Sequence, residues 1–345
     1  VWGRAGLAVA WALSRVTGVV PFAVGEAVIL LLLAAFVALL VRGVVDVVRG
    51  RRRAANLLAG GALVGAQFAG VVVGGFYLLW GFGYSRPRLE ERFDWPSGGA
   101  ASVAELESLA AEMLDATNRA YRDVHGADDG GAPTSLRDRA ALETALEAGW
   151  RSAAAEAGIG GIPARGGYGR IKRPLLLSRV LDWLGISGFY LPFTGEANVN
   201  RGLPGASWPM TAAHEMAHQR GFNPENEANF FGFLAAASAP DPLARYSAYL
   251  FAQRQLLSAL AMLDEERVAP MLARRLPGVQ RDVDDIRDYW ARFESPISEA
   301  SRRTNDVFLR TNRVQGGVAS YGRSVELLVA WARAREGTLL PSADP

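Results

Sequence analysis

The chain has 345 residues and no cysteine, and its 37 Lys and Arg against 35 Asp and Glu leave a formal net charge of +2. A near-balanced charge excludes a surface built for polyanions, so nucleic acid is not an expected partner. The lack of cysteine excludes disulfides and thiolate metal ligands, and leaves His, Glu and Asp as the ligand set. The length accommodates a membrane section plus one or two folded domains.

Residues 1–24 are apolar with Arg4 and Ser14-Arg15 interspersed, a pattern expected of an amphipathic helix lying at an interface. The chain begins with Val rather than Met, which leaves room for a signal or anchor before Val1. From Ala27 to Val48 an apolar run is long enough to cross a bilayer, with Arg42 and Asp46 only near its end. A second run, Ala54 to about Tyr84, follows the basic loop Arg49-Gly50-Arg51-Arg52-Arg53. Two transmembrane helices are therefore expected in 25–84, with the arginine loop in the cytoplasm and both flanks outside. Gly60-Gly61, Gly65, Gly70 and Gly74-Gly75 permit close helix packing in the second.

Past Arg86-Pro87-Arg88 the composition becomes that of a soluble domain, expected to span 85–345 on the outer side of the membrane. Helical spacing runs from Ala104 to Val124 and from Ser135 to Ala157, joined by a flexible Gly- and Asp-rich loop after His125. A short helix is expected from Pro174 to Leu184. The stretch Gly185 to Asn200 is rich in aromatic and β-branched residues punctuated by Gly and Pro, and reads as an extended strand with Pro192 favouring an edge position. An edge strand can take up a peptide as a further strand, which makes Tyr190, Thr194, Gly195, Glu196 and Asn198 candidate substrate contacts; core packing is the competing account. Beyond Pro224, amphipathic helices are expected to about Ser238, then over Leu243 to Met262, Val279 to Phe293, Ile297 to Asn312 and Tyr321 to Glu336.

Between the strand and these helices lies His214-Glu215-Met216-Ala217-His218, which holds two of the three histidines in the chain. Four residues apart on a helix, two imidazoles share one face and can grip a zinc ion while the intervening carboxylate sits beside it. The helix is expected from Met210 to Arg220, with Pro209 near its start and Gly221 past its end. A catalytic zinc needs a third protein ligand, which must be Glu or Asp, or else His125. Asn223-Pro224-Glu225 looks like a helix start with Asn as cap, and in the resulting hairpin Glu225 lies opposite His218 and Asn229 opposite His214. Glu225 is then the expected ligand and Asn229 the partner for the far nitrogen of a histidine; Glu227, half a turn away, ranks second as ligand. Glu215 is the expected general base. Candidate donors to a developing oxyanion are Tyr190, Arg220, Tyr246, Tyr249, Tyr289 and Tyr321.

The apolar N-terminal runs, Phe189 to Asn198, His214 to Phe222 and Glu225 to Phe230, together with Asn305 to Arg310 and Gly316 to Arg323, resemble a bacterial membrane-protein family known only as a domain of unknown function. The metal motif is also similar to that of gluzincin metallopeptidases, such as the thermolysin-like enzymes, in which HExxH is followed by a ligand Glu within an ExxA(D/N) pattern. By position, that pattern implies Glu225 as ligand and Asn229 as its partner, with only Gln219 to Pro224 between second His and Glu where many gluzincins insert more.

The fold class expected is mainly α (α+β), with transmembrane helices preceding a helical zincin-like domain that has a small edge-strand region. The expected function is that of a membrane-anchored zinc metallopeptidase acting on a peptide or protein substrate, the alternative being a non-catalytic envelope sensor or scaffold with a structural zinc.

Overall fold

Stretches that are apolar on every side cannot be buried by one neighbour, and in the computed structural model they stand out as two long exposed helices. The structure describes residues 2–93, 95, 100–311 and 323–342. After α1 (Trp2–Gly18) come α2 (Val24–Val48) and α3 (Ala54–Leu79), with mean hydropathies of 2.9 and 1.8 over their most apolar windows. Both are long enough and apolar enough to cross a membrane. At 1.5 Å per residue each is nearly 40 Å long against a hydrocarbon core of about 30 Å, so a turn or two at the ends is left over. The expected packing role of the α3 glycines is not met within the chain, since the space beside Gly61, Gly65, Gly70 and Gly74 is open.

α1 packs one face on the rest of the protein. Ser14 is fully buried and its Oγ accepts from Gly169 N at 2.7 Å, while Thr17 Oγ1 donates to Thr194 O at 3.0 Å. The approach is so close that a Cβ on Gly195, whose φ of 68° already favours glycine, would lie 2.5 Å from Ser14 N. Its far face keeps Val9 and Val16 exposed.

The remaining elements are α4 (Leu89–Phe93), α5 (Val103–His125), α6 (Arg139–Glu156), α7 (Leu177–Leu184), β1 (Gly188–Leu191), β2 (Glu196–Val199), α8 (Trp208–Gln219), α9 (Glu225–Ala237) and α10 (Pro242–Leu263). They are followed by α11 (Val268–Leu272), α12 (Pro277–Ala291), α13 (Pro296–Thr311) and α14 (Arg323–Ala334). The fold is thus mostly helical, with one two-stranded sheet among the described residues. Its centre is α9, which carries no charge after Glu227, is buried from there to its end, and is surrounded by α6, α8, α10 and α14. Phe222, Phe230 and Phe231 pack edge and face against one another and against Trp150 and Trp331 around it.

Helix starts are set by caps. Ser102 and Glu105 form a reciprocal capping box at α5. α6 starts later than hydrophobic spacing suggests, because Asp138 caps it through Ala141 N at 3.0 Å. Thr134 is also drawn away, its N–H donating to Asp282 Oδ1 at 2.6 Å. The brief α4 and α11, and the 3₁₀ turns Gly81–Ser85 and Glu265–Arg267, were not foreseen, being too short to show a period.

In the hairpin, Gly188 faces Val199 and Leu191 faces Glu196 in antiparallel register, and Lys172 bridges the outer side of β2 at Asn198. β2 is therefore internal, and β1 is the edge. Pro192 falls in the turn rather than on the edge strand.

Two carboxylates tie α2 to this framework. Glu196 accepts from Val24 N and Gly25 N, at 2.8 and 2.7 Å, at the start of α2. Reciprocally, Glu26 in the first turn of α2 accepts from Leu175 N, Leu176 N and Leu177 N at 2.6 to 2.8 Å, at the start of α7. Each carboxylate sits where a helix N-terminus presents unpaired N–H groups and positive potential.

Candidate metal centre

The HExxH segment forms the C-terminal half of α8, which is buried between the β-hairpin and α9. Gly221, at φ 89°, ends it, and the chain reverses through Phe222 to Pro224 into α9. The helices approach closely because α9 places Gly232 against the α8 backbone: a Cβ there would lie 2.8 Å from His214 N and 2.9 Å from its Cα. Gly232→Ala is expected to cost about 1–3 kcal/mol through forced separation of α8 and α9, measurable as a shift in a denaturation midpoint.

This hairpin brings His214, His218 and Glu225 together, their ligand atoms all within 4.8 Å of one another. His214 Nε2 lies 3.2 Å from Glu225 Oε2, and His218 Nε2 lies 3.6 Å from Glu225 Oε1. The imidazole rings stand nearly perpendicular with centroids 4.6 Å apart. A tetrahedral zinc with bonds of about 2.0–2.2 Å has ligand atoms roughly 3.4 Å apart, and each imidazole nitrogen lies at about that distance from one of the two Glu225 oxygens. Electrostatics agree. Burial opposes charge on His218, yet the Glu225 carboxylate and its hydrogen bond outweigh it and raise the imidazole pKa to about 9. Glu225 moves the opposite way, its carboxyl held well below the usual range: burial would raise it, but the two imidazoles prevail. The pocket between the three side chains thus favours positive charge, and the nitrogen and oxygen donors fit a zinc ion.

Nδ1 of His218 donates to Phe222 O at 2.7 Å, which fixes the tautomer and leaves Nε2 free to act as a ligand. That task had been expected of Asn229. Asn229 instead donates to Ser324 Oγ at 3.1 Å, while His214 Nδ1 is buried with no hydrogen-bond partner among the described residues. Asn223 does not cap α9, which begins after Pro224; its amide donates to Trp80 O at 3.0 Å and ends α3. Glu227 is turned to Arg92, at 2.6 Å. His125 lies elsewhere, stacked on Tyr121 and within 2.8 Å of Thr134 Oγ1.

Glu215 is buried, and burial pushes its pKa up to about 7 against the pull of the two histidines. One carboxylate oxygen lies against β1, where a Cβ on Gly188 would come within 2.6 Å of it, and the other has no hydrogen-bond partner among the described residues. These groups open into a cleft of about 710 Å³ walled by β1, α8, α10 and the end of α3. A buried acid whose pKa is shifted toward neutrality in such a cleft has the properties of a proton carrier.

A family model described as Protein of unknown function (DUF3810) matches residues 7–329, from α1 to α14. The chain belongs to that family. No curated protein and no solved structure matches it.

Of the other expected contacts in this DUF3810 chain, Tyr190 lines the cleft, its ring 4.8 Å from that of Trp80. Thr194, Gly195, Glu196 and Asn198 do not: they face α1, α2 and the hairpin interior, so the candidate substrate strand narrows to β1. Arg220 is wholly buried, stacked between Trp150 and Tyr168 and ion-paired with Glu147. Tyr246 donates to Asp282 and Tyr289 to Asp182, Tyr249 lines a different depression, and Tyr321 lies outside the described residues.

Three cleft residues escaped the sequence reading: Trp80, whose ring lies 5.4 Å from that of His218; Tyr84; and Arg254. Burial, and then the negative charge of Glu225, raise the pKa of Tyr84, so its phenol keeps its proton in the same cleft as His214, His218 and Glu225. The signal for the first two was a Trp and a Tyr flanking Gly81-Phe82-Gly83, where an apolar run should simply end.

Proposed function

We propose that this chain is a membrane-anchored, zinc-dependent metallopeptidase of gluzincin type, with a zincin-like catalytic region. The observation that carries this reading is the convergence of His214, His218 and Glu225 beside a buried, near-neutral Glu215 at the wall of a cleft.

When bound, zinc supplies a Lewis acid that makes water a nucleophile at neutral pH and polarises a carbonyl. His214, His218 and Glu225 hold it. Glu215 accepts the proton of the attacking water on its carboxylate and returns it to the leaving amine nitrogen. Tyr84 and Tyr190 line the cleft and would donate to the substrate carbonyl oxygen as charge builds there. β1, paired on one side only among the described residues, offers its other edge to an extended peptide. On this reading α2 and α3 cross the bilayer, the arginine loop between them is cytoplasmic, and the catalytic region is extracytoplasmic.

The test is the full chain purified in detergent, assayed for zinc content and for cleavage of a quenched peptide library. About one zinc per chain is expected, with cleavage lost on chelation and restored by zinc. Glu225→Ala should weaken zinc binding at least about 100-fold, beyond what loss of a supporting hydrogen bond does. Absence of zinc refutes the proposal; one tightly held zinc with no cleavage of any library member favours a structural site in an envelope sensor or scaffold.

A further inference from the structure

Helix α7 is divided lengthwise. Ser178, Leu181 and Asp182 form its buried side, and the opposite side, with Leu176 at the N-cap, carries Val180 and Trp183; the three are 60%, 50% and 58% exposed. Leu175, just before the helix, is 64% exposed. Four large apolar side chains within residues 175–183 on the outer surface are costly in water, at about 25 cal/mol per Å². We infer that this outer side of α7 is seated in the lipid interface of the bilayer that α2 and α3 cross.

The occupant follows from what α7 is tied to. Its N-terminus is bound through three backbone N–H groups to Glu26, the third residue of α2. Beside it, Phe193 at the hairpin turn lies against Gly75 of α3, where a Cβ would be 2.8 Å from the ring, and is itself 39% exposed. The exposed apolar residues therefore stand level with the first turn of α2 and the last turns of α3, the parts of those helices left over from a 30 Å core. Trp183 is on this face, and four residues before it Arg179, 81% exposed although 3.6 Å from Asp182, supplies the cation: an amphipathic ring at headgroup depth and a basic side chain able to reach phosphate are what membrane interfaces favour.

The C-terminal end of α7 leads to the candidate metal centre, since Leu184, Gly185 and Ile186 line the same cleft as His214, His218 and Glu225. Seating α7 in lipid holds the cleft mouth at the membrane surface. If the centre is hydrolytic, as proposed above, its substrates are peptide segments adjoining a membrane anchor; the seating itself does not depend on that reading.

Because the chain has no cysteine, single cysteines can be introduced without background. Leu176→Cys, Val180→Cys and Trp183→Cys, each in the full chain, nitroxide-labelled and reconstituted into phospholipid vesicles, are compared by power saturation with oxygen and with a water-soluble nickel chelate. Phe36→Cys in α2 and Arg151→Cys on α6 give the lipid and water references. The expected result is that the three α7 labels, like Phe36→Cys, are several-fold more accessible to oxygen relative to nickel than Arg151→Cys. Nickel accessibility equal to that of Arg151→Cys would overturn the proposal. So would labels shielded from both reagents, which would mean a protein partner covers the face. Neither zinc nor cleavage enters this measurement, so it can fail while the hydrolase reading stands, and the reverse.

Discussion

Glu215→Gln is expected to leave zinc binding within a few-fold of the unmodified chain and to lower kcat for peptide cleavage by about 10²–10⁴-fold. Glutamine keeps the size and one oxygen of the carboxylate, so it fits the same slot against Gly188. What it loses is the site for a proton. The buried carboxyl, with its pKa raised to about 7, can both take up and release a proton at neutral pH, and an amide can do neither. Zinc content by elemental analysis and single-turnover cleavage, measured on the same preparation, separate this loss from loss of the metal. Unchanged cleavage with zinc retained would remove Glu215 from the mechanism.

Glu196→Ala is expected to destabilise the folded chain by about 3–5 kcal/mol, as removal of one member of a buried charge network does. Its carboxylate takes two N–H groups at the start of α2 and the hydroxyl of Thr194 at 3.0 Å. It also offsets the buried cation of Lys172, whose pKa is lowered by desolvation against the pull of Glu196. Without Glu196 that ammonium, which donates to Thr17 O at 3.0 Å and to Val20 O, is left buried with carbonyl dipoles as its nearest partners. Chemical unfolding in detergent, with Thr194→Ala as a milder comparison, reads the cost. A change below about 1 kcal/mol would mean that water reaches the site.

The His214-to-Glu225 hairpin was legible in the sequence because its signals are local: a four-residue helical spacing, a Gly stop and a Pro restart. The two long apolar helices were equally plain, since hydropathy does not depend on what packs where. Contacts between distant segments were not legible. Asn223 reads as a helix cap, and nothing near it announces that Trp80 O, 143 residues away, will take its amide. Glu196 and Asn198 alternate with apolar neighbours as exposed strand residues do. They are buried because α1 and α2 fold back over that side of the hairpin, and the sequence around the hairpin carries no trace of that cover.

The packing of α1 and the start of α2 bears on where this protein can be divided. Composition changes sharply near residue 85, and a truncation there looks natural. Yet such a cut would remove the Ser14 hydroxyl from Gly169 and the Glu26 carboxylate from three successive N–H groups. The indole of Trp80 beside His218 would go with them. The fragment would begin its life with a stripped β-hairpin and an open side to the His214, His218 and Glu225 cluster. The unit that keeps these contacts is therefore the chain with its apolar helices attached, and a loop such as Arg49 to Arg53, which takes part in none of them, is the better place to interrupt it.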